Sequence, residues 1–506
     1  MKKDIFLSFL SSLLLILSFP NFNLWISAWF GFVPLFFVLE NRPKTEAFLL
    51  SFFTGIIFWS GIIYWLIHVT LPGTIILILY LALYFGVFGL AVSRYSLLAT
   101  RYSALIIPSL WVILEYIRAH LFTGFPWALL GYSQYLNLPI IQIADLTGAW
   151  GVSFLVVMVN AAIYSVIGCR LSVIGARLKY LLLPILCLIV TLIYGYYKTY
   201  RTPNTEHRIP IKISVIQGNI PQELKWQPEV SRYISDKYSR LTEQASKTAP
   251  DLIIWPEASS PGLLGASDAV FKDIFSLAKK IKTPLVIGAV VRDSERYFNS
   301  ALLVNSFGEI VDRYDKLHLV PFGEYIPLKK VLPFLETIVP IGDITPGREY
   351  TIFKIPNPKS QIPNSKITNN FAVLICFEDL FPELSRQFVL KGAQFLVNIT
   401  NDAWYKKTGA AAQHFQASVF RAVENRVFLV RSANTGVSGF IDPSGRIISK
   451  VSDKFARDIF IDGIDTRKIT ISKKPLTAYT RYGDIFIVVC VLFVLYGIIR
   501  TSKRKP

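Results

Sequence analysis

Long apolar runs at both ends of the chain constrain its fold more than any other feature. From Ile5 to about Tyr197 one apolar run follows another, Thr199 to about Tyr482 has a mixed composition, and Asp484 to Arg500 is apolar again. Runs of about 20 apolar residues are long enough to cross a bilayer. Only 17% of the 506 residues are charged and 52% are hydrophobic, which argues against a soluble protein. The sequence therefore predicts a membrane part, a globular domain and a final anchor.

The predicted domain boundaries follow these changes in composition. Residues 1–198 are predicted to form a membrane domain of about seven helices, residues 199–482 a globular domain, and residues 483–506 a C-terminal transmembrane helix with a basic tail. A cleaved signal peptide is the alternative for the first run, although no small-x-small cleavage pattern lies near Pro20. The candidate spans are Ile5–Phe19, Leu24–Leu39, Ala47–Ile67, Gly73–Val92, Ala104–His120, Pro139–Gly168, Tyr180–Tyr197 and Ile485–Ile499.

Positive charges predict the orientation of these spans. Lys and Arg residues fall at alternate membrane exits, and the positive-inside rule then makes both termini cytoplasmic and the number of spans even. The globular domain would face away from the cytoplasm. Much of the net charge of +19 lies in the cytoplasmic loops and tail, beside anionic lipid. Because no basic run is interleaved with aromatic residues, nothing indicates nucleic acid as a partner.

Two features of the membrane part are unusual. Glu115 and Arg118 are spaced to share one helix face, and the following segment, Thr123 to Gly151, is rich in Gly, Pro and Trp. Ionisable groups at membrane depth are costly and are usually paired. We expect either a structural Glu115–Arg118 pair with a re-entrant loop, or a floor that holds a lipid beneath the globular domain.

The globular domain contains one cysteine at a position suited to chemistry. Four apolar residues, Ala372 to Ile375, lead into Cys376, and Pro382 favours a helix that begins near Phe381. A thiol between a strand and a helix start can have a lowered pKa and be exposed to substrate. The other three cysteines fall in or beside apparent spans, so Cys376 has no disulfide partner in this domain. A buried, inert thiol is the alternative.

Two further reactive groups follow predicted strands of this domain. Glu257 comes after LIIW and Pro256, and Lys316 comes after another strand. A thiol needs a base, and acyl transfer needs a cation where the oxyanion develops, so Glu, Lys and Cys supply what such a reaction requires. Taken singly, Glu257 and Lys316 are more typical of surface or salt-bridge residues, and spacing alone does not bring the three residues together.

The fold of the globular domain is predicted from its alternating strands and helices. This alternation predicts an α/β sandwich with helices covering both sheet faces.

Three motifs in this order resemble the Glu–Lys–Cys triad of the nitrilase superfamily. They are IIWPEAS, YDKLHLVPFGEYIP and LICFED. Their combination with a multi-span region and one C-terminal span is similar to the apolipoprotein N-acyltransferase family of the bacterial envelope. GFPW, QGNIPQELKW, YFNS and NITNDAW are supporting matches. The resemblance covers nearly the whole chain and implies a polytopic α-helical membrane domain plus an α/β nitrilase-like domain, an α-β-β-α sandwich.

The resemblance also implies roles for individual residues. Glu257 would be the general base, Lys316 the stabiliser of the tetrahedral intermediate and Cys376 the nucleophile. The family has a tyrosine where this chain has Phe377, so any role for that hydroxyl is absent here. No cofactor is implied, and the five scattered histidines indicate no metal site. The resemblance further implies Glu324, Glu378 and Phe377 as supporting residues, and Trp226 and Asn299 as substrate-binding residues.

The implied reaction transfers an acyl chain from a phospholipid, through a cysteine thioester, to the α-amino group of a diacylglyceryl-cysteine on an apolipoprotein. The implied location is the inner membrane of a bacterium, with a monomeric enzyme whose catalytic domain faces the periplasm. A membrane-tethered amidase of the nitrilase type that hydrolyses a small C–N bond is the alternative enzyme. A non-catalytic transporter or scaffold is the alternative from another class, and it predicts that Cys376→Ala leaves function unchanged.

Overall fold

The computed structural model describes residues 1–94, 103–168, 174–200, 208–225, 227–265, 268–326, 344–356, 368–472 and 475–502. The chain forms two compact units. The first contains Met1–Thr202, Thr408–Glu424 and Thr477–Pro506, and the second contains Pro203–Lys407 and Asn425–Leu476. The predicted boundaries differ from these units at residues 199–202, 408–424 and 477–482, which fall within the predicted globular domain but group with the first unit.

The first unit is helical. Four of its described helices are long and apolar enough to cross a membrane, and the chain is a membrane protein. Three shorter apolar helical segments, Trp25–Leu39, Leu138–Thr147 and Ile485–Arg500, accompany them. The eight predicted spans therefore stay a prediction. The helices are α1 (Lys2–Leu17), α2 (Val33–Leu39), α3 (Lys44–Ile62), α4 (Leu71–Arg94), α5 (Ser103–His120), α6 (Leu138–Ile141), α7 (Ala144–Thr147), α8 (Ala149–Ile167) and α9 (Ile174–Tyr200).

Glu115 and Arg118 of α5 are both buried, and each binds the backbone of the segment that follows α5. The Glu115 carboxylate accepts a hydrogen bond from the Leu130 N–H at 2.7 Å. Arg118 donates to the carbonyl oxygens of Phe125 and Trp127 at 2.7 and 2.8 Å. The two side chains thus fold the Gly- and Trp-rich segment onto α5. Both expectations for this region, a structural Glu115–Arg118 pair or a floor that holds a lipid, stay predictions.

One glutamine of a helix distant in sequence joins three segments of the first unit. Gln413 lies on the helix Ala410–Asn425, and its Oε1 accepts hydrogen bonds from the indole N–H groups of Trp65 and Trp127 at 3.1 and 2.8 Å. Its Nε2 donates to the carbonyl oxygens of Pro20 and Ile62 at 3.2 and 3.1 Å. All the hydrogen-bonding capacity of the amide is therefore used.

Replacing Gln413 with leucine is expected to destabilise the first unit by about 2 kcal/mol or more, because two indole donors and two carbonyl acceptors lose their partner. Thermal unfolding in mild detergent measures this loss. Gln227→Leu, at an exposed position, is the control and is expected to melt like the wild type. Equal melting temperatures for wild type and Gln413→Leu would contradict the prediction.

The second unit is built on two mixed β-sheets. In the first sheet the strand order is β13-β1-β2-β4-β5-β6, with β3 beside β4, and in the second it is β12-β11-β10-β9-β8-β7. The strands are β1 (Arg208–Gln217), β2 (Leu252–Ile254), β3 (Leu263–Leu264), β4 (Leu285–Asp293), β5 (Arg296–Val304), β6 (Ile310–Asp315), β7 (Phe353–Pro356), β8 (Thr368–Ile375), β9 (Phe395–Thr400), β10 (Phe428–Ala433), β11 (Gly439–Ile441), β12 (Ile447–Lys450) and β13 (Gly463–Ser472).

The two sheets touch through their central strands. The Ser432 hydroxyl on β10 donates to the carbonyl oxygens of Ile216 on β1 and Ile254 on β2, at 2.9 and 3.1 Å. β1, β2 and β4 run parallel, as do β8, β9 and β10. The predicted reactive residues follow the ends of three strands. Glu257 follows β2, Lys316 follows β6, and Cys376 follows β8.

The remaining helices complete the two units. Two of them, α10 and α11, bury apolar side chains such as Tyr238 and Phe271 against Trp255 and Ile287 of the first sheet. A further helix begins at Pro382, which confirms the predicted helix start behind the cysteine. These helices are α10 (Ser231–Ser246), α11 (Asp268–Ile281), α12 (Pro382–Leu390), α13 (Ala410–Asn425), α14 (Ala478–Tyr482) and α15 (Ile485–Ser502).

Candidate active site

Three strand ends supply the reactive groups of one buried site in the second unit. Glu257 lies three residues after β2, Lys316 directly follows β6, and Cys376 directly follows β8. Gly288 on the neighbouring strand β4 lets the backbone at Glu257 approach closely, because a Cβ at residue 288 would lie only 2.6 Å from the Glu257 Cα. The side chains of Glu257, Lys316 and Cys376 therefore belong to one site at these strand ends.

Two carboxylates surround the buried ammonium group of Lys316. Its Nζ lies 3.7 Å from Oε1 of Glu257 and 2.9 Å from Oε2 of Glu324. Burial opposes the charged form of Lys316, but these carboxylates outweigh it and raise the pKa of the lysine. Lys316 therefore stays protonated at neutral pH and supplies a fixed positive charge in the site.

Asn299 on β5 links the same two carboxylates. Its Nδ2 donates to Oε1 of Glu257 at 2.8 Å and to Oε1 of Glu324 at 2.7 Å. Because only the amide nitrogen is a donor, this pair of acceptors fixes the orientation of the side chain. The sequence-predicted residues Glu257, Lys316, Glu324 and Asn299 thus lie in one hydrogen-bonded cluster.

Changing Asn299 to aspartate is expected to lower the enzymatic rate about 100-fold, because it removes the donor and adds a third negative charge beside two carboxylates. Proton transfer by a positioned base contributes about 10²- to 10⁴-fold to rates, and a like charge shifts the pKa of such a base. Single-turnover kinetics measure the change. Asn305→Asp, which keeps the side-chain acceptor of the β5–β6 turn, is the control; a wild-type rate for Asn299→Asp would refute the prediction.

Cys376 is buried and has a backbone φ of 52° in the left-handed region. Burial raises the pKa of its thiol, the Glu257 carboxylate raises it further, and Lys316 opposes the rise. The predicted lowering of this pKa is therefore wrong for the resting site, because burial outweighs the positive groups near the thiol. The thiol therefore needs a base to become a nucleophile, and its pKa responds to the charges of both Glu257 and Lys316.

A buried polar network holds the backbone at Cys376. Asn398 on β9 donates from Nδ2 to the carbonyl oxygens of Leu374 and Cys376, both at 3.2 Å. Its Oδ1 accepts from Arg431 on β10 at 2.7 Å, and Arg431 also pairs with Asp379 at 2.8 Å. Sequence reasoning assigned no role to Asn398 or Arg431, although a charged residue within the apolar run FLVRSA was a usable signal.

Glu378 is fully buried and joins the strand end at Cys376 to the turn at Lys316. Its Oε1 accepts from the Tyr314 hydroxyl at 2.8 Å and from the N–H groups of Leu317 and His318 at 2.7 and 3.0 Å. Its Oε2 accepts from the Ile375 N–H at 2.7 Å. Burial raises the pKa of Glu378 to about 7, against the effect of these donors. Both of its oxygens are thus bound to protein groups.

Phe377 and Trp226 are the last two of the predicted site residues. The Phe377 ring is buried and packs edge-on against Phe381, with 5.2 Å between the ring centroids. Trp226 lies outside the described residues. Among the described residues no group of three or more His, Cys, Asp and Glu side chains has the arrangement of a metal site.

Comparisons with known proteins agree with this architecture. Residues 11–162 match the family model described as "Apolipoprotein N-acyltransferase N-terminal domain", and residues 212–473 match "Carbon-nitrogen hydrolase". An apolipoprotein N-acyltransferase from Geobacter metallireducens is 40% identical over 97% of this chain and 94% of its own length. The chain belongs to the apolipoprotein N-acyltransferase family. It is an acyltransferase with a carbon-nitrogen hydrolase domain.

A second relative and a solved structure are less similar in sequence. An apolipoprotein N-acyltransferase from Pasteurella multocida is 30% identical over 96% of this chain and 93% of its own length. A variant of an amidase from Nesterenkonia AN1, of the nitrilase superfamily, is a solved structure with 18% identity and a TM-score of 0.40, covering 57% of this chain and 98% of that one. The two apolipoprotein N-acyltransferase relatives match both units of the chain.

Proposed function

We propose that this acyltransferase moves an acyl chain from a phospholipid to the α-amino group of the diacylglyceryl-cysteine of an apolipoprotein, through a thioester on Cys376. The observation that carries the proposal is the convergence of three strand ends in a chain of this family. Lys316 Nζ lies 3.7 Å from Glu257, and the Glu378 carboxylate accepts hydrogen bonds from the N–H groups next to Lys316 and Cys376. Glu257 is the proposed general base, Lys316 the oxyanion stabiliser and Cys376 the nucleophile.

The first half-reaction forms the thioester. Glu257 accepts the thiol proton, and Sγ of Cys376 attacks the ester carbonyl carbon of the phospholipid. The Lys316 ammonium group, with the Phe377 backbone N–H, stabilises the oxyanion that develops on the carbonyl oxygen. The ester C–O bond then breaks, the proton passes from Glu257 to the departing alkoxide, and lysophospholipid leaves.

The second half-reaction uses the same groups in the same order. The neutral α-amino group of the diacylglyceryl-cysteine attacks the thioester carbonyl carbon, and Lys316 again stabilises the oxyanion. Glu257 accepts the amine proton as the C–N bond forms, and the C–S bond breaks. The thiolate takes this proton back, and the enzyme returns to its resting state after a ping-pong cycle.

The proposed setting is the bacterial inner membrane, with eight spans, both termini in the cytoplasm and a monomeric enzyme. The second unit would be an α-β-β-α sandwich on the periplasmic side, where Trp226 and Asn299 take part in substrate binding. The alternation of Lys and Arg along the apolar part of the chain supports this orientation. Two membrane-anchored substrates also give a reason for a catalytic domain with membrane segments before and after it.

Intact-mass measurement of the purified protein after incubation with phospholipid tests the proposal. We expect a stable increase in mass by one acyl group, located on the peptide that contains Cys376, and its loss when a diacylglyceryl lipopeptide with a free amino group is added. Rapid release of free fatty acid without acyl-enzyme, or of ammonia from small amides, would instead favour hydrolysis over transfer, and ammonia would point to the amidase alternative. Failure to label Cys376 under conditions in which the lipopeptide is acylated would overturn the proposed intermediate.

A further inference from the structure

Lys225 is a second buried lysine beside the proposed general base, and it has no role in the two half-reactions. It follows a short 3-10 turn, Gln222–Leu224, and only 6% of the residue is exposed. Its Nζ donates to the backbone carbonyl oxygen of Glu257 at 3.0 Å. The ammonium group therefore lies beside the residue that takes the thiol proton.

This buried ammonium group lacks an obvious anionic partner. Among the residues that the structure describes, no carboxylate forms an ion pair with Lys225. A buried charge is costly unless an opposite charge compensates it. Burial lowers the pKa of Lys225 to about 8, while the charge of Glu257 and that of Cys376 in its thiolate form oppose this lowering. The proposed base, Glu257, and the proposed nucleophile, Cys376, are thus the two groups whose negative charge favours the protonated form of Lys225.

Lys316 alone compensates the negative charges of the site poorly. Its Nζ lies 2.9 Å from the Glu324 carboxylate, so much of its charge is already balanced there. When the proton moves from Cys376 to Glu257, a negative charge moves from the carboxylate to Sγ. A second cation beside the base would stabilise that charge, and Lys225 is a buried lysine whose Nζ lies 3.0 Å from the Glu257 carbonyl oxygen.

The other titratable groups that face the thiol do not supply this charge. Asp402 raises the pKa of Cys376, as Glu257 does. Burial raises the pKa of Tyr405 well above its usual value, which keeps the tyrosine neutral, and a thiolate at Cys376 raises this pKa further. Asp402 itself lies 3.3 Å from the buried Arg431. Among the described residues, Lys316 and Lys225 are then the buried lysines beside Glu257.

We propose that Lys225 is a second cation of the active site and stabilises the thiolate of Cys376 during both half-reactions. The S–H bond breaks, an O–H bond forms on the Glu257 carboxylate, and the electron pair stays on Sγ. Lys225 remains protonated throughout and exchanges no proton. The inference rests on the proposed role of Cys376 as the nucleophile.

The rate at which iodoacetamide alkylates Cys376, followed over the neutral and alkaline pH range, tests this inference without substrate. The full-length protein in detergent is used, and mass spectrometry of the peptide that contains Cys376 separates this thiol from the other cysteines. Lys225→Gln keeps an N–H donor for the Glu257 carbonyl but removes the charge. At pH values below about 8, where Lys225 of the wild type carries its charge, we expect alkylation of Lys225→Gln to be about tenfold slower than that of the wild type, which corresponds to a rise of about one unit in the pKa of the thiol. At higher pH the two rates are expected to converge.

Two variants control for charge and for position. Lys225→Arg keeps the charge and is expected to retain most of the wild-type rate at each pH. Lys406→Gln removes an exposed lysine that pairs with Glu223 at 3.4 Å, and it is expected to leave the profile unchanged. Equal profiles for wild type and Lys225→Gln, or equal slowing in Lys406→Gln, would overturn the role of Lys225.

Folding and the proposed function are checked separately. Size-exclusion chromatography shows whether Lys225→Gln folds, and Lys225→Met takes its place if it does not. If wild-type protein forms no acyl-thioester with phospholipid, the proposed function fails, whatever the alkylation profiles show. If the thioester forms and the profiles coincide, only the inference about Lys225 fails.

Discussion

Cys376→Ser is expected to abolish the thioester and to lower acyl transfer by about 10⁴-fold or more, the scale of loss seen when a covalent catalyst loses its nucleophile. The hydroxyl of serine is a far weaker acid than a thiol, and the site already raises the pKa of the group at this position by burial. Glu257 would then be too weak a base to activate it. Intact mass after incubation with phospholipid measures acylation directly.

Matched variants show whether the loss is specific to the proposed triad. Cys187→Ser changes a half-buried cysteine of α9 and is expected to acylate at the wild-type rate. Glu257→Gln and Lys316→Ala are expected to accumulate no thioester, because the first lacks the base and the second lacks the ammonium group 3.7 Å from it. A thioester at normal yield in Glu257→Gln would remove Glu257 as the base.

Glu378→Ala is expected to lower the free energy of unfolding by about 3 kcal/mol or more. Four buried donors, one from Tyr314 and three from backbone N–H groups, would lose their acceptor, and an unsatisfied buried donor costs about 1–3 kcal/mol. Because the same carboxylate joins the strand end before Cys376 to the turn after Lys316, we also expect acyl-enzyme formation to be lost. Chemical unfolding of the detergent-solubilised protein measures the first effect.

Two variants sharpen this second prediction. Glu383→Ala is the matched control. Glu383 lies in the first turn of α12, where its carboxylate is half exposed and pairs with Arg386 at 2.9 Å. Its loss is expected to cost less than about 1 kcal/mol, as is usual for surface ion pairs. Glu378→Gln keeps one acceptor oxygen and is expected to fall between the two. Wild-type stability in Glu378→Ala would show that the four hydrogen bonds contribute little.

Local patterns predicted the environment of the nucleophile well. The apolar residues before Cys376 form β8, and Pro382 begins α12, because a buried strand and a proline-marked helix start depend mainly on neighbouring residues. The grouping of Glu257, Lys316 and Cys376 came from the family resemblance. Strand spacing alone does not determine which strand ends meet.

Long-range features escaped prediction for a physical reason. β13 pairs with β1 along ten residues although some 250 positions separate them, and its polar alternation, GIDTRKITIS, gave little hint of a strand in the first sheet. The full burial of Glu378 was equally hidden, because carboxylates are rarely buried unless several donors from distant segments converge on them. Such convergence becomes visible only when the tertiary structure is known.

The helix that carries Gln413 has a practical consequence for anyone who wishes to produce the catalytic half alone. The chain passes from one unit to the other before this helix and returns after it. A gene fragment trimmed at residues 199 and 482 would encode the glutamine but neither of the tryptophans nor the two carbonyl groups that bind it. In such a fragment the helix Ala410–Asn425 would lack the groups that bind Gln413. A secreted, lipid-free version of this enzyme therefore requires redesign of this helix in addition to removal of the apolar ends.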